Sequence, residues 1–166
     1  DPPRPDTKHT IDCANDFGVS VKMITGDHRA IAVETCRTLG MGTNVLGAEK
    51  LPLLTAQELE ASTTLGRDYG EMCRQADGFA QVFPEHKYLI VEALRQQGYL
   101  VGMTGDGVND APALKRSDVG IAVQGATSAA QAAADIVLTQ PGLSTIVTAI
   151  VTSRKIFQRM KNFVIY

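Results

Sequence analysis

Apolar residues along the chain alternate between short runs and stretches with helical spacing. The short runs predict strands at 19–24, 78–83, 99–103, 119–123 and 136–138. The helical stretches, bounded by Pro or Gly, predict helices at 5–17, 28–39, 84–97, 108–116, 128–134 and from 141 to the end of the chain. Strands that alternate with helices form βαβ units, so the pattern predicts an α/β fold with a parallel sheet and helices on both faces.

Residues 46–77 interrupt this alternation. The tetrapeptide Thr55-Ala56-Gln57-Glu58 is a capping box and predicts the start of one helix. We expect the rest of this segment to be an irregular excursion without chemistry. Residues 1–140 then form one domain, followed by a terminal helix over 141–166.

Composition narrows the class of protein. The 166 residues are 44% hydrophobic, enough for one domain with a buried core. The net charge of −2 argues against a nucleic-acid binder held by a broad basic surface. Three cysteines without CxxC or Cys/His spacing exclude a disulfide scaffold and a structural zinc site.

Charge is concentrated at the end of the chain. Residues 141–166 carry four bases and no acid, while the rest of the chain is acidic. The bases precede an apolar start at Phe163-Val164-Ile165-Tyr166, as on the cytoplasmic flank of a membrane span. We therefore expect this helix to be a stalk that leads into a membrane, and the chain to be part of a larger protein. The four bases are Arg154, Lys155, Arg159 and Lys161.

The tripeptide Thr-Gly-Asp occurs twice, each time directly after a predicted strand. Thr25-Gly26-Asp27 follows the first strand and Thr104-Gly105-Asp106 follows the third. One copy would be an ordinary turn, but in a parallel sheet both copies lie at the carboxyl edge, where ligands bind. The repetition therefore predicts a ligand site at that edge.

The second copy continues with residues suited to a hard cation. Asn109 and Asp110 come one helical turn after Asp106 and are expected to face the same side. Two close carboxylates repel unless a cation lies between them. Magnesium prefers few carboxylates plus water and phosphate oxygens, so we expect Asp106 to be a direct ligand and Asp110 to be nearby.

The first copy offers donors to an anion. The Thr25 hydroxyl and the Gly26 N–H precede a helix N-terminus and can bind phosphate oxygens. Asp27 either caps that helix or helps to place the metal. Lys87 near the start of another helix opposes the helix dipole, which a bound anion would offset, while the neighbouring His86 is expected to be structural.

Longer motifs give a family resemblance. Thr104-Gly105-Asp106-Gly107-Val108-Asn109-Asp110-Ala111-Pro112-Ala113-Leu114 resembles the hinge signature of P-type ATPases, and Asp1-Pro2-Pro3-Arg4 and Met23-Ile24-Thr25-Gly26-Asp27 resemble two further motifs of that family. Phe83-Pro84-Glu85-His86-Lys87, Ala134-Asp135-Ile136-Val137-Leu138 and 156–162 look closest to plasma-membrane proton pumps. The resemblance covers the whole chain, most loosely over 46–77.

The resemblance implies a haloacid-dehalogenase-like Rossmann fold and an ATP-driven proton pump that forms an aspartyl-phosphate. Asp106 would bind Mg²⁺ with Asp110 supporting the metal site, and Asn109 would touch the phosphate. Lys87, Thr25 and Gly26 would hold the phosphoryl group, and Asp1 and Arg4 would lie on the nucleotide side. The remainder of the pump would be the partner, at the plasma membrane with this segment on the cytoplasmic side.

One departure concerns the nucleophile. The family's Asp-Lys-Thr-Gly-Thr segment does not occur in the sequence. Its strand belongs at the centre of the sheet, between strands 19–24 and 99–103, and without it both would lack a partner. We therefore predict that the chain alone is unstable or molten, and inactive.

Three other interpretations share some of these residues. A soluble haloacid-dehalogenase-like phosphatase would use Thr25, Lys87 and Asp106 in the same way. A doubly wound binding or regulatory domain would hold a divalent ion without turnover. A P-type ATPase for another cation has the same catalytic core, since the ion-binding residues lie in membrane helices.

Overall fold

The computed structural model describes residues 5–164. The helices are α1 (Thr7–Asp16), α2 (Arg29–Leu39), α3 (Ala56–Ala61), α4 (Glu71–Gln75), α5 (Pro84–Gln96), α6 (Ala111–Arg116), α7 (Ser128–Ala133) and α8 (Ser144–Val164). The strands are β1 (Met23–Ile24), β2 (Val45–Gly47), β3 (Gly78–Ala80), β4 (Gly102–Gly105), β5 (Val119–Ala122) and β6 (Ile136–Val137). The fold is α/β, as predicted, and the strand pairs are parallel.

The strands form two three-stranded sheets. In the first sheet β3 lies between β1 and β2, and in the second β5 lies between β4 and β6. β1 and β4 therefore pair on one side only within the described residues. The sequence predicts a single sheet, whereas the structure has two. The predicted sheet is divided between β1 and β4, the strands between which the sequence predicts a missing strand.

Helix α5 packs under both sheets. Its Leu89 and Ile90 belong to the apolar core of the first sheet, with Phe79 of β3. Its Val91 belongs to the core of the second sheet, with Leu114 of α6. Helical spacing gives α5 two apolar faces, so this helix connects the two halves of the domain.

Several predicted strands are longer than the observed ones. The strand predicted at 19–24 is observed only at Met23–Ile24, as β1. The strand predicted at 78–83 ends at Ala80, as β3. A strand is defined by ladder hydrogen bonds, and the ladders of β1 and β3 extend only over Met23–Ile24 and Gly78–Ala80. An apolar run predicts the location of a strand better than its length.

The segment 46–77 is more regular than expected. It contains the end of β2, the predicted helix α3 with its capping box, a π-helical turn over Gly66–Gly70, and α4. The sequence prediction missed β2, which pairs with β3 at the edge of the first sheet. Only three residues long, β2 is too short for alternation to reveal it.

Helix α8 and the residue before it form hydrogen bonds with the residues that flank the two ends of α1. The Asp6 carboxylate accepts the Leu143 N–H at 3.2 Å. Arg154 donates to the Phe17 carbonyl at 2.8 Å and lies over the Phe17 ring. Beyond Arg154 the apolar side chains of Ile156, Phe157, Met160, Phe163 and Val164 are exposed.

No helix within residues 5–164 combines the length and apolarity that a membrane crossing requires. The apolar start from which the sequence predicts a span runs from Phe163 to Tyr166. Its last two residues lie outside the described part of the chain. The membrane span and the domain division at residue 140 therefore remain predictions.

Candidate functional site

Two loops and one helix N-terminus meet at the carboxyl ends of the strands. The loop Thr25–Asp27 follows β1, the loop Gly105–Gly107 includes the end of β4, and α5 begins four residues after β3. Gln81 N–H donates to the Asp27 carbonyl at 2.9 Å, and Val82 N–H donates to the Thr25 carbonyl at 3.2 Å. The first loop is thereby attached to the chain that enters α5.

Lys87 connects α5 to the second loop. Its Nζ lies 2.6 Å from Oδ1 of Asp110, and the two side chains are 18% and 9% exposed. Lys87 belongs to the first turns of α5, which follows the first sheet, while Asp110 follows β4 of the second. This ion pair therefore joins the two sheets at the site.

The second oxygen of Asp110 holds the Gly105–Gly107 loop. Oδ2 accepts the N–H groups of Asp106 and Gly107, each at 3.1 Å. Gly105 permits this close approach, because a Cβ added there would lie 2.5 Å from the Asp110 Cβ. Any side chain at position 105 would push Asp110 away from Lys87.

The electrostatics of Asp110 favour its charged form. Burial by itself raises the pKa of a carboxyl group. Hydrogen bonds from Lys87 and from the Gly107 N–H, together with the charge of Lys87, outweigh burial and place the pKa of Asp110 below its ordinary value. Asp110 is therefore an ionised anchor for Lys87 at neutral pH.

Asp106 has a fixed backbone and an exposed side chain. Its carbonyl accepts the Thr127 N–H at 2.8 Å, and the neighbouring Gly105 carbonyl accepts the Val123 N–H at 3.2 Å. Within residues 5–164 its carboxylate makes no hydrogen bond. Asn109 is also exposed, whereas Asp110 is buried. The sequence predicts that these two side chains face the same side, and in the structure they do not.

The reason for that difference lies in the local backbone. Residues Val108–Asp110 form a 3₁₀ turn and α6 begins only at Ala111. The tighter turn rotates successive side chains by about 120° rather than 100°. Asp110 therefore points inward to Lys87 while Asn109 points outward.

The Thr25 loop is folded around its own hydroxyl group. Oγ1 of Thr25 accepts the Asp27 N–H at 3.0 Å. Helix α2 is capped by His28, whose Nδ1 accepts the Ala30 N–H at 3.4 Å, and not by Asp27. The sequence leaves two roles open for Asp27, capping α2 or helping to place the metal. Because His28 caps α2, only the second role remains for Asp27.

The donor set suits a metal that brings most of its own ligands. Within residues 5–164, no group of three or more His, Cys, Asp or Glu side chains could enclose a metal. Asp106 offers an exposed carboxylate, and both oxygens of Asp110 are already bound. Mg²⁺ takes one or two carboxylates and fills its remaining positions with water and phosphate, so Asp106 fits as a direct ligand and Asp110 as an indirect support.

Two of the predicted site residues, Asp1 and Arg4, lie outside the described residues. Asn109 is exposed on the second loop, and the other six fall into two groups. Lys87, Asp106 and Asp110 are brought together by direct contacts, and Thr25, Gly26 and Asp27 are attached through the entry to α5. Sequence reasoning placed Lys87 and Asp110 at one edge but missed their ion pair.

The chain resembles known proteins over its whole length. Residues 1–118 match the family model described as haloacid dehalogenase-like hydrolase. A probable proton ATPase 1A of Leishmania donovani is 62% identical over 100% of this chain and 17% of that protein. The plasma membrane ATPase of Kluyveromyces lactis is 55% identical over 100% of this chain and 18% of that protein. The chain thus spans less than a fifth of these relatives.

Solved structures of ATPases share the fold. A zinc-transporting PIB-type ATPase in an E2.Pi state aligns with a TM-score of 0.73 and 26% identity, over 98% of this chain and 21% of that one. The catalytic domain of the CPx-ATPase CopB-B aligns with a TM-score of 0.63 and 25% identity, over 89% of this chain and 45% of that one. The resemblance to P-type ATPases and the haloacid-dehalogenase-like fold are confirmed.

Proposed function

Since the chain belongs to the haloacid dehalogenase-like hydrolase family, we propose that it is the phosphate- and magnesium-binding part of an ATP-driven proton pump. The observation that carries this proposal is the contact series from Lys87 through Asp110 to the backbone of Asp106. It brings a cation for phosphate and a carboxylate for Mg²⁺ to one edge of the fold. The identity of 55–62% to proton and plasma membrane ATPases supports the choice of pump.

In this proposal Lys87 binds the transferred phosphoryl group. An ammonium group has three donors. Asp110 accepts one of them, which leaves two for phosphoryl oxygens. Asp110 thereby orients Lys87 before the phosphoryl group arrives, and a preorganised donor stabilises the charge that spreads over those oxygens in the transition state.

The remaining residues complete the phosphate site. The Gly26 N–H and the Thr25 hydroxyl bind phosphoryl oxygens, and Asn109 reaches the same group from the other loop. Asp106, supported by Asp110, holds Mg²⁺, which when bound neutralises charge on the phosphoryl oxygens. Asp27 assists in placing the metal, and Asp1 and Arg4 lie on the nucleotide side.

The nucleophile comes from outside this chain. An aspartate elsewhere in the longer protein attacks the γ-phosphorus of ATP, its oxygen forms the new P–O bond, and ADP leaves with the electrons of the old one. In this proposal the strand that carries it lies between β1 and β4, which are edge strands of the two separate sheets in the described residues. The remainder of the pump is therefore the partner that completes the sheet.

This role for the missing strand predicts how the chain behaves alone. We expect residues 1–166 to unfold without a cooperative transition, because the unpaired edges of β1 and β4 expose N–H and C=O groups. Extension upstream through the missing strand should restore a cooperative transition. Thermal unfolding followed by circular dichroism, and NMR dispersion, measure the difference. A sharp transition and a dispersed spectrum from residues 1–166 alone would contradict the prediction.

We further propose that α8 is a stalk at the cytoplasmic face of the plasma membrane. Its four bases and exposed apolar side chains support this placement. A displacement at the phosphorylation site would be passed along α8 toward the ion path. The name plasma membrane ATPase, carried by the Kluyveromyces lactis relative, supports the location.

The test uses the full-length protein in sealed membrane vesicles. With γ-labelled ATP and Mg²⁺ we expect a covalent phosphoprotein that is stable in acid and released by hydroxylamine, as an acyl phosphate is. ATP should also acidify the vesicle lumen. Hydrolysis of small phosphate monoesters without proton movement would favour the soluble phosphatase instead. Transport of another cation would leave the phosphoprotein intact and overturn only the choice of proton.

A further inference from the structure

Resting on the proposed role of Lys87 in binding the phosphoryl group, we propose that His86 is a positioning residue. Its imidazole holds the Phe83 N–H and thereby fixes the first turn of α5, from which Lys87 reaches the site. His86 is 3% exposed and so does not offer itself to a ligand.

The first turn of α5 lacks an ordinary cap. Phe83 stands at the N-cap, where its side chain has no oxygen to accept a hydrogen bond, and Pro84 follows. Nδ1 of His86 instead reaches back and accepts the Phe83 N–H at 3.2 Å. The two rings also pack together, with centroids 5.6 Å apart. His86 is therefore the side chain that secures this turn.

The same turn sets the position of Lys87. The Phe83 carbonyl accepts the N–H of His86 at 3.0 Å and that of Lys87 at 3.3 Å. An imidazole that fixes Phe83 therefore also fixes the backbone of Lys87. From there the Lys87 ammonium group meets Asp110, on the other sheet.

The imidazole of His86 carries an unpaired buried nitrogen, which is unfavourable, so packing alone does not account for a histidine at this position. Because Nδ1 accepts a hydrogen bond, the neutral ring carries its proton on Nε2. Nε2 is buried and has no hydrogen-bond partner within the described residues. A leucine would fill the space without an unpaired buried donor, so the useful feature of His86 is the Nδ1 acceptor. Burial also lowers the pKa of His86, although the charge of Glu85 opposes this effect. The lowered pKa favours the neutral ring, in which Nδ1 can accept a hydrogen bond.

The experiment separates positioning from packing. In the full-length protein, His86→Leu removes the acceptor together with the unpaired donor. We expect its rate of phosphoprotein formation to fall about tenfold while its unfolding temperature is unchanged or higher. His86→Asn offers Oδ1, which is attached to Cγ as Nδ1 is, and should stay within about twofold of the unaltered protein. His9→Leu, at an exposed histidine on α1, is the matched control.

A second pair of variants decides the question if His86→Leu does not fold. Methionine has only a weak thioether acceptor, and its flexible side chain adapts to the space of the imidazole. We expect His86→Met to lose rate while His86→Asn keeps it, and equal rates in the two would overturn the inference. An unaltered rate in a folded His86→Leu variant would also overturn it.

The role of His86 can fail separately from the proposed function. If Lys87→Met also forms phosphoprotein at the normal rate, the proposed function fails. If Lys87→Met is inactive while the His86 variants are fully active, only the positioning role fails.

Discussion

Lys87→Met in the full-length protein is expected to lower the rate of phosphoprotein formation about 10²- to 10³-fold. Methionine keeps the length and apolar stem of lysine but removes the donors aimed at the phosphoryl oxygens, and loss of one preorganised donor has an effect of this size. Rapid quenching of the reaction with labelled ATP measures it. Lys115→Met, at an exposed lysine in the last turn of α6, is the matched control and should be silent.

The loss of Lys87 also leaves Asp110 buried without its cation, which could by itself disturb the loop. Lys87→Met combined with Asp110→Asn removes that unpaired charge. If the slow rate came from the unpaired carboxylate, the double variant would recover. We expect no recovery, because the phosphoryl group still lacks its donor. Recovery, or a near-normal rate in Lys87→Met itself, would contradict the assignment of Lys87.

Asp106→Asn is expected to have an effect of similar size, with a different signature. The amide keeps the shape of the carboxylate but loses the charge that a hard cation prefers. We expect the rate at ordinary Mg²⁺ to fall about 10²-fold and the half-saturating Mg²⁺ concentration to rise at least tenfold, roughly the loss of one charged ligand. Titration of phosphoprotein formation with Mg²⁺ measures both.

The fold around Asp106 makes this variant a clean test. Its backbone is held by Thr127 and by the Asp110 carboxylate, and both contacts are made by main-chain atoms of Asp106. The substitution should therefore leave the loop in place. Asp12→Asn, at an exposed residue on α1, controls for the loss of one negative charge. An unchanged Mg²⁺ dependence in Asp106→Asn would remove Asp106 from the proposed metal site.

Most of the order of helices and strands could be predicted from the sequence, and the contacts between side chains could not. Two Thr-Gly-Asp tripeptides after apolar runs were sufficient to predict one ligand edge. The Lys87–Asp110 pair depends on the close approach of Asp110 to Gly105 and on a 3₁₀ turn in place of an α-turn. Such details follow from tertiary packing and not from spacing, and β2 was missed for the related reason that three residues carry no periodicity.

The attachment of α1 to α8 has a mechanical consequence. Asp6 and Arg154 fasten α8 to the two ends of α1, which is about 15 Å long. A force applied to the end of α8 is therefore transmitted to α1 through these two contacts. The chain that leaves α1 continues to β1 and the Thr25 loop. Tension applied at the last residues of the chain therefore arrives at one rim of the site by way of its first helix.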